Sequence, residues 1–486
     1  MSYPKAARVR RRIHMKRINL IRLGGFAAMV GGVLYALERY WSSLDAVPAE
    51  KQNVPTVGAA PVYAGNGFAA KISALAVYPR HRLDVSVRDL LFGLTACLWA
   101  SRRRRLAAEV ARTFPPSEDA LVCLSVRSGF DLLLGALAEP PGGEVLVSAV
   151  THPDMVRIIE GHGLGAVPVD LDTATLEPRI KLLQRALSPR TRAILVAHLF
   201  GSRFDLDPIA AFARKHRLLL VEDCAQTFRG TWDPGDSLAD VSMFSFGTLK
   251  TASAVGGAIL RIRNSGLLEK MRWGQERWPV QSRRHYAGRL LRALYLILLS
   301  RPVPYGLLAH ACGLLGRDLD DLVNGAVRTF PTSGSATEEL FRSIRRQPSA
   351  PLLALLTRRL RTFDDARLAR RTAAGERVAR RLPSVVCHPG GLAPMRTHWL
   401  FPVVVPDPGV LVSALNRRGF DASRATSNIA PVPTPRNLSE LAPEEARRMM
   451  SRLVFLPVYP DLPDETLDRL VSAVEDAIGL YPEDGV

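Results

Sequence analysis

Residues 217–226 read RLLLVEDCAQ, and residues 241–250 read VSMFSFGTLK. Each stretch begins with an apolar run of the length that a buried strand needs. The first run ends at Asp223, and Lys250 lies a few residues after the second. Because a charge is costly to bury without a partner, an acid and an amine in these places indicate a polar site where strands end.

Similar apolar runs alternate with helix-length segments over residues 84–262. The runs are ALVCLSV (120–126), EVLVSAV (144–150), GAVPVDL (165–171), RAILVAHLF (192–200), RLLLVED (217–223), VSMFSF (241–246) and GAILRI (257–262). This alternation predicts an α/β fold with a mostly parallel, seven-stranded sheet and helices on both faces. Ligands of such sheets bind at the carboxyl ends of the strands.

The chain has 486 residues, too long for one ordinary domain. We predict a basic arm and hydrophobic helix (1–47), a linker (48–83), a large domain (84–283), a hydrophobic helical insertion (284–345) and a smaller C-terminal α+β domain (346–486). Hydrophobic residues make up 47% of the chain, which is typical of a globular protein and excludes a disordered one.

The net charge of +19 comes mostly from arginine clusters. Such a charge suits nucleic acid, an anionic membrane face or a phosphorylated substrate, and it also fits solvated helix faces. The arginine runs are not interleaved with aromatic residues, so nucleic acid is not expected as a partner. The five cysteines are scattered without C-x-x-C spacing, which argues against structural zinc and disulfides and fits a reducing cytoplasm.

Two segments have the composition of membrane-contacting elements. Residues 20–37 carry one charge, Arg22, behind a basic arm, and they have the minimum length of a membrane span. A membrane anchor or in-plane helix, a helix packed on the domain and a disordered leader all fit this segment. Residues 290–315 are also apolar and are broken by prolines. They fit a second membrane contact or a helical hairpin packed on the domain.

The predicted strands end in side chains with complementary chemistry. Asp223 ends one strand and Gln226 follows it, while Ser245 ends the next strand before Lys250. In SVRSGF, Ser128 and Gly129 stand where the first strand turns into a helix, and a helix N-terminus of this kind binds anions. Each feature alone is common in turns and caps, and a lone lysine is usually solvated.

Pyridoxal phosphate needs this set of groups together. A lysine forms its Schiff base, a carboxylate keeps its pyridine nitrogen protonated, and hydroxyls with a helix N-terminus hold its phosphate. An anion site, an acid and an amine, in this order along the chain and at one sheet edge, therefore indicate pyridoxal phosphate as the cofactor.

The same residues carry a family resemblance. The matching stretches are SVRSGFDLLLGAL, EVLVSAVTHPDMV, AVPVDLDTATLEP, LSPRTRAILVAHLFG, DLDPIAAFARKHRLLLVEDCAQ, DVSMFSFGTLK and, near the C-terminus, VFLPVYPDLPDETLDRLVSAV. The chain resembles the DegT/StrS-type sugar aminotransferases, a pyridoxal-phosphate family of fold type I. The resemblance is dense over residues 118–262 and thinner over 385–480.

The resemblance implies a role for each site residue. Lys250 would form the Schiff base and carry the proton, and Asp223 would pair with the pyridine nitrogen. Gln226 would approach the ring hydroxyl. The phosphate would be held by Ser245, Ser128 and Gly129. His152 falls where the family has an aromatic ring on the pyridine, although it also fits a polar loop residue, and His198 is expected to be structural.

Four departures from the family affect the substrate side. The loop after Lys250, TASAVGG, is shorter than in the family and has no Asn, so the partner subunit's contribution to the phosphate site is in doubt. Phe130 replaces a small hydroxyl residue. The family's Asn-Tyr-Arg stretch is not recognisable, and the insertion at 284–345 is atypical.

The resemblance implies a homodimeric aminotransferase that takes an amino group from an amino acid, expected to be glutamate, and gives it to a keto sugar, and the cysteine pattern predicts a cytoplasmic protein. Lys250 distinguishes it from the related sugar dehydratases, which carry His at this position. The apolar segments add the hypothesis of a lipid-linked acceptor at the inner face of the cell membrane. The alternative is a non-catalytic, membrane-associated regulator that keeps the fold.

Overall fold

The computed structural model describes residues 76–115, 117–317, 319, 322–323, 337–424 and 428–479. The basic arm, the hydrophobic segment 20–37 and most of the predicted linker lie outside the described residues. Within them, no helix combines the length and the apolar character that crossing a membrane requires.

The described strands are short. They are β1 (Ala120–Cys123), β2 (Glu144–Ser148), β3 (Val150–Thr151), β4 (Gly165–Val169), β5 (Thr191–Ala197), β6 (Ser202–Arg203), β7 (Leu219–Asp223), β8 (Val241–Ser245), β9 (Ala258–Ile262), β10 (Met395–Arg396), β11 (Phe401–Val404), β12 (Ala430–Pro431) and β13 (Leu453–Leu456). Each central strand falls within a run predicted from the sequence or extends it by one residue.

Among the described residues, seven strands form the central sheet in the order β1-β9-β8-β7-β5-β2-β4. Neighbouring strands are parallel from β8 to β4, and β9 runs antiparallel to both of its neighbours. The predicted mostly parallel, seven-stranded sheet is confirmed. Its parallel strands end at one common edge, where the first strand turns into a helix.

The helices that the structure describes lie between and after these strands. They are α1 (Val87–Trp99), α2 (Arg103–Arg112), α3 (Val126–Leu137), α4 (Pro153–Gly161), α5 (Ile180–Ala186), α6 (Asp207–His216), α7 (Ser265–Glu276), α8 (Arg283–Leu299), α9 (Pro302–Leu314), α10 (Thr337–Ile344), α11 (Ala350–Arg361), α12 (Asp365–Ala379), α13 (Pro408–Arg417), α14 (Glu444–Ser451) and α15 (Asp464–Ile478), with 3-10 turns at Ser117–Asp119 and Arg436–Leu441.

Helices cover both faces of the sheet because the strand side chains alternate in direction. Val145 and Val147 of β2 pack in one core with α3, α4 and α7. Leu146, between them, packs in another core with α5 and α6. The predicted helices on both faces are therefore confirmed.

The C-terminal part forms a smaller α+β region. Strands β11 and β13 pair antiparallel, and their apolar side chains share a core with α12, α13 and α15. Two short antiparallel pairs, β6 with β10 and β3 with β12, connect this region to the loops that follow the central strands. These pairings bring Trp399 to the edge where β8 ends.

The atypical segment that follows the sheet contains α8 and α9. Tyr286, Arg289 and Leu290 of α8 are buried, and the Tyr286 hydroxyl donates to the Ala254 carbonyl at 2.7 Å. The first helix therefore packs on the loop that follows Lys250. This arrangement agrees with the helical hairpin packed on the domain.

Candidate active site

Lys250 lies in the turn after β8, and its backbone N–H donates to the Gly247 carbonyl at 3.0 Å. The side-chain Nζ lies 4.0 Å from the ring centroid of Trp399. Removal from water lowers the pKa of Lys250 to about 8; the Asp223 carboxylate opposes this shift and the Arg127 guanidinium adds to it. A substantial fraction of the amine is therefore unprotonated near pH 8, as a nucleophile requires.

Asp223 ends β7 at the same edge. Its Oδ1 accepts a hydrogen bond from the Ala225 N–H at 2.9 Å. Burial raises the pKa of Asp223, although this hydrogen bond and the charge of Lys250 act against the increase. The structure thus brings the predicted amine and the predicted acid into one electrostatic neighbourhood.

Ser245 and Gln226 lie beside these two residues in the chain. A Cβ placed on Gly247 would lie 3.7 Å from both Ser245 Oγ and Lys250 Cγ, so the serine hydroxyl lies at the lysine turn. The side-chain oxygen of Gln226 accepts from the Phe200 N–H at 2.7 Å. The amide nitrogen of Gln226 is consequently the group that could donate to a ligand.

The side chain of Ser128 and the Cα of Gly129 lie on the packed side of α3. Helix α3 begins at Val126, and Ser125 caps it by accepting from the Ser128 N–H at 3.2 Å. The Ser128 hydroxyl, which is 0% exposed, donates to the Ile344 carbonyl at 2.8 Å. The helix therefore begins two residues before Ser128, so Ser128 and Gly129 lie within its first turns and not at the junction that the sequence predicted.

A Cβ on Gly129 would lie 2.3 Å from Leu260 Cδ1, so Gly129 allows α3 to pack closely on β9. Close packing of the helix on the strand therefore accounts for a glycine at this position. At this junction the structure presents the backbone amides of the first turn of α3, residues 126–128, which is the feature of a helix N-terminus that can bind an anion.

His152 caps α4, and its Nδ1 accepts from the Asp154 N–H at 3.1 Å. Burial and the charge of Arg127 lower the pKa of His152 to about 3, with Lys250 contributing in the same direction. The ring is therefore neutral at physiological pH and is held in place by its capping bond. A fixed neutral ring close to Lys250 is compatible with the predicted stacking role.

Sequence reasoning missed three residues of this neighbourhood. Arg127 bonds Asp154 Oδ2 through Nη1 at 2.6 Å, and Trp399 donates from Nε1 to the Leu249 carbonyl at 2.9 Å. Arg289 lies against the glycine pair after Lys250. Arg127 stands within the quoted SVRSGF motif and could have been found there, whereas the positions of Trp399 and Arg289 depend on contacts between distant parts of the chain.

A separate cluster of polar side chains lies behind β7. Glu222 Oε1 lies 3.0 Å from His198 Nε2 and 2.7 Å from Arg203 Nη2, all in buried side chains. His198, Glu222 and Cys224 could present ligand atoms to a metal ion. The guanidinium of Arg203 already neutralises Glu222, however, and repels a cation. This geometry agrees with the structural role predicted for His198.

Residues 100–285 match the sequence model of the DegT/DnrJ/EryC1/StrS aminotransferase family. This match confirms the predicted resemblance to the family over this region. The matched region contains both Asp223 and Lys250.

Curated relatives extend the match to named enzymes. The chain is 32% identical over 198 residues to the GDP-perosamine synthase of Caulobacter vibrioides. The aligned region covers 39% of this chain and 53% of the relative. It is 34% identical over 173 residues to the UDP-N-acetyl-3-dehydro-alpha-D-glucosamine 3-aminotransferase of Acidithiobacillus ferrooxidans. This aligned region covers 35% of this chain and 46% of that enzyme. The chain therefore spans about half the length of the curated relatives that it matches.

Solved structures share the fold over most of the chain. The aminotransferase TlmJ from Streptoalloteichus hindustanus superposes with a TM-score of 0.59 at 19% identity, covering 83% of this chain and 99% of TlmJ. PseC from Helicobacter pylori, an aminotransferase, gives a TM-score of 0.60 at 14% identity and covers 83% and 100%. At these identities the likeness establishes the fold, which is the predicted fold type I.

Proposed function

We propose that this chain is a pyridoxal-phosphate-dependent aminotransferase that moves an amino group from an amino acid to a keto sugar, with glutamate as the expected donor. The observation that carries this proposal is the Lys250 amine beside the Asp223 carboxylate at the carboxyl edge of the sheet. Its support is the family match over residues 100–285 and the sugar-converting enzymes among the relatives.

The residues fit the cofactor. Asp223 is half-buried and its pKa is raised, so its carboxylate would be stabilised by a further cationic partner. When bound, pyridoxal phosphate supplies a protonated pyridine nitrogen and an electron-withdrawing ring. Asp223 would face that nitrogen, Lys250 would hold the aldehyde carbon, and Ser245 with the first turn of α3 would hold the phosphate. His152 would lie against the ring.

Lys250 can move the proton because its two charge states are close in free energy. Its pKa of about 8 allows Nζ to accept a proton from one carbon and return it to another at neutral pH. The Trp399 ring, 4.0 Å below Nζ, attracts the protonated amine by about 0.5–2 kcal/mol. The bond from Trp399 to the Leu249 carbonyl fixes the ring, so the amine stays directed into the site.

Several finer features are extensions of this proposal. A lipid-linked acceptor, contact with the inner face of the cell membrane through residues 20–37 and 290–315, and a cytoplasmic homodimer stay predictions from the sequence. Lys250 favours amino transfer over the dehydration that the family resemblance associates with His at this position.

Reductive trapping tests the proposal. The full chain is incubated with pyridoxal phosphate, reduced with borohydride, digested and analysed by mass spectrometry. We expect the pyridoxyl group on Lys250 and its loss in Lys250→Ala, whereas Lys270→Ala, which removes an exposed lysine on α7, retains it. A pyridoxyl group on other lysines, or on none, would contradict the proposal. A cofactor that stays unchanged with glutamate and other amino donors would favour the non-catalytic regulator.

A further inference from the structure

Arg371 of α12 is a buried cation with an incomplete set of partners. The residue is 8% exposed, and removal from water lowers the pKa of its guanidinium to about 10. Nε donates to the Thr397 carbonyl at 2.8 Å, and Nη1 donates to Thr251 Oγ1 at 3.0 Å. Within the part of the chain that the structure describes, the buried Nη2 has no hydrogen-bond partner. Because a buried charge with an unpaired donor is unfavourable, stability alone does not account for an arginine at this position.

The two oxygens that Arg371 holds lie on the segments that carry Lys250 and Trp399. Thr251 follows Lys250 directly, and Thr397 lies two residues before Trp399. The ring centroid of Trp399 lies 4.0 Å from Nζ of Lys250. One guanidinium therefore connects the turn that carries the amine to the segment that supplies the ring beside it.

The turn is also held on the other side of Lys250. The Leu249 carbonyl accepts from Trp399 Nε1 at 2.9 Å and lies 3.2 Å from His81 Nε2. Burial lowers the pKa of His81 to about 4, so this ring is neutral at physiological pH. The chain is thus held immediately before Lys250 by Trp399 and immediately after it by Arg371.

We propose that Arg371 is a positioning residue for the proposed reaction, because its two hydrogen bonds hold the Lys250 amine against the Trp399 ring. This inference rests on the proposed function and deepens it. Arg371 acts through Thr251 and Thr397 and is assigned no direct contact with the cofactor. A displacement of a reacting group by about 1 Å can lower a rate roughly 10²-fold, so a bond to this turn matters for the chemistry.

The position of the amine sets its pKa, which gives this inference a direct readout. Removal from water is the largest of the causes that act on the pKa of Lys250, and the pKa falls from 10.5 to about 8. If the turn loosens, water reaches Nζ. The pKa should then rise towards its ordinary value, because burial outweighs the attraction of the Trp399 ring for the charged amine.

The other titratable groups around the amine keep their charges in this test. Asp223 raises the pKa of Lys250, and Arg127 lowers it. The charge of Lys250 acts in turn on His81 and His152, and burial lowers the pKa of these rings to about 4 and about 3, so both are neutral. A variant that leaves these groups in place and changes only a hydrogen bond to the turn therefore isolates the position of the amine.

The test measures acetylation of Lys250 by acetic anhydride, at a series of pH values and by mass spectrometry, in the full chain without cofactor. The exposed Lys270 on α7 is the internal standard. Thr251→Val removes the acceptor of Nη1 without changing a charge, and Arg371→Lys keeps the charge but lacks the planar fork that makes both bonds. The controls are Thr251→Ser, which keeps the hydroxyl, and Arg370→Gln, which removes an exposed arginine of the same helix.

We expect the midpoint of Lys250 acetylation near pH 8 in the wild type, Thr251→Ser and Arg370→Gln. The midpoint should lie about one pH unit higher in Thr251→Val and in Arg371→Lys. The double variant should shift no further than the larger single shift, since both changes remove the same contact. With cofactor and glutamate, Thr251→Val and Arg371→Lys should lower kcat about 10- to 100-fold and leave KM for glutamate nearly unchanged.

An unchanged midpoint in Thr251→Val and Arg371→Lys would overturn this inference, and a lower melting temperature alone would then assign Arg371 a structural role. An equal shift in Arg370→Gln would also contradict it. If Arg371→Lys does not fold, Thr251→Val and Thr251→Ser carry the test. Because acetylation needs no cofactor, a chain that gains no pyridoxyl group on Lys250 would contradict the proposed function separately.

Discussion

Glu222 and Asp223 are adjacent acids on β7 with opposite surroundings. Burial works to raise the pKa of Glu222, but the hydrogen bond with His198 and the charge of Arg203 hold it well below its usual range. Burial raises the pKa of Asp223, whose Oδ1 accepts from the Ala225 N–H. One carboxylate is paired inside the protein, and the other faces the lysine amine at the sheet edge.

The difference follows from the geometry of a strand. Successive side chains of a strand point to opposite sides, so neighbouring acids enter different environments. Glu222 is 0% exposed and also accepts from Ser242 Oγ at 2.8 Å. The hydrogen bonds of the Glu222 carboxylate therefore stabilise the fold. Asp223 lies where the strand ends, and this position leaves its carboxylate accessible to a ligand.

The largest expected effect is a loss of stability when Glu222, the paired acid, is replaced. Glu222→Gln should lower the free energy of unfolding by about 3–5 kcal/mol, because a buried charge network loses one partner. Chemical denaturation measures this change. The folded fraction should still bind pyridoxal phosphate as the wild type does. A variant of normal stability that loses the cofactor would reverse the roles assigned to the two acids.

The next largest expected effect is a loss of activity when Asp223, the acid that faces Lys250, is replaced. Asp223→Asn should lower the rate of amino transfer roughly 10²- to 10³-fold, because the charge facing the ring nitrogen is lost. Its free energy of unfolding should equal or exceed that of the wild type, since burial of this carboxylate is unfavourable. The measurement is single-turnover reaction with glutamate beside a denaturation curve. Full activity in Asp223→Asn would remove Asp223 from the site.

The pH dependence of unfolding should also separate the two acids. The folded-state pKa of Glu222 lies below its ordinary value of 4.5, so its contribution is present above pH 4.5 and is lost as the pH falls below it. The folded-state pKa of Asp223 lies above its ordinary value of 3.8, so its charge destabilises the fold as the pH rises above 3.8.

Glu222→Gln should therefore show a flatter loss of stability in acid than the wild type. Asp223→Asn should gain stability relative to the wild type between pH 4 and 7, because it has no carboxyl group whose ionisation destabilises the fold. Denaturation at a series of pH values measures both. If the wild type, Glu222→Gln and Asp223→Asn lost stability equally as the pH falls, the proposed difference between the two environments would be contradicted.

The smallest effect concerns the two serines at the start of α3. Ser128→Ala should cost about 1 kcal/mol of stability, since one buried hydrogen bond is lost, and should leave affinity for pyridoxal phosphate unchanged. Ser125→Ala should cost a similar amount as a lost cap and should also weaken the cofactor. If Ser128→Ala weakened the cofactor and Ser125→Ala did not, the anion site would lie where the sequence first indicated.

The sequence predicted the sheet well, and it also predicted that Asp223 and Lys250 lie at the same sheet edge. Short apolar runs between helical segments define the strands, and Asp223 and Lys250 follow those runs directly in the chain. The start of α3 was less certain because Ser125 and Ser128 both suit a cap, and packing of Gly129 on Leu260 decides between them.

The remaining site residues could not be placed from local sequence. Trp399 reaches Lys250 through the pairing of the C-terminal region with the loops after the sheet, and Arg289 reaches Gly256 through the packing of α8. Contacts between such distant segments leave no periodicity or spacing in the chain. Arg127 differs, because it lies inside the SVRSGF motif and the sequence left open only the direction in which its side chain points.

The absorption spectrum of the purified full chain with pyridoxal phosphate tests the central claim most directly. It is recorded before and after addition of glutamate, beside Lys250→Ala. The account predicts a band near the visible edge in the wild type that disappears with glutamate and does not form in the variant. The same band in Lys250→Ala, or a wild-type band that neither glutamate nor another amino acid changes, would contradict amino transfer through Lys250.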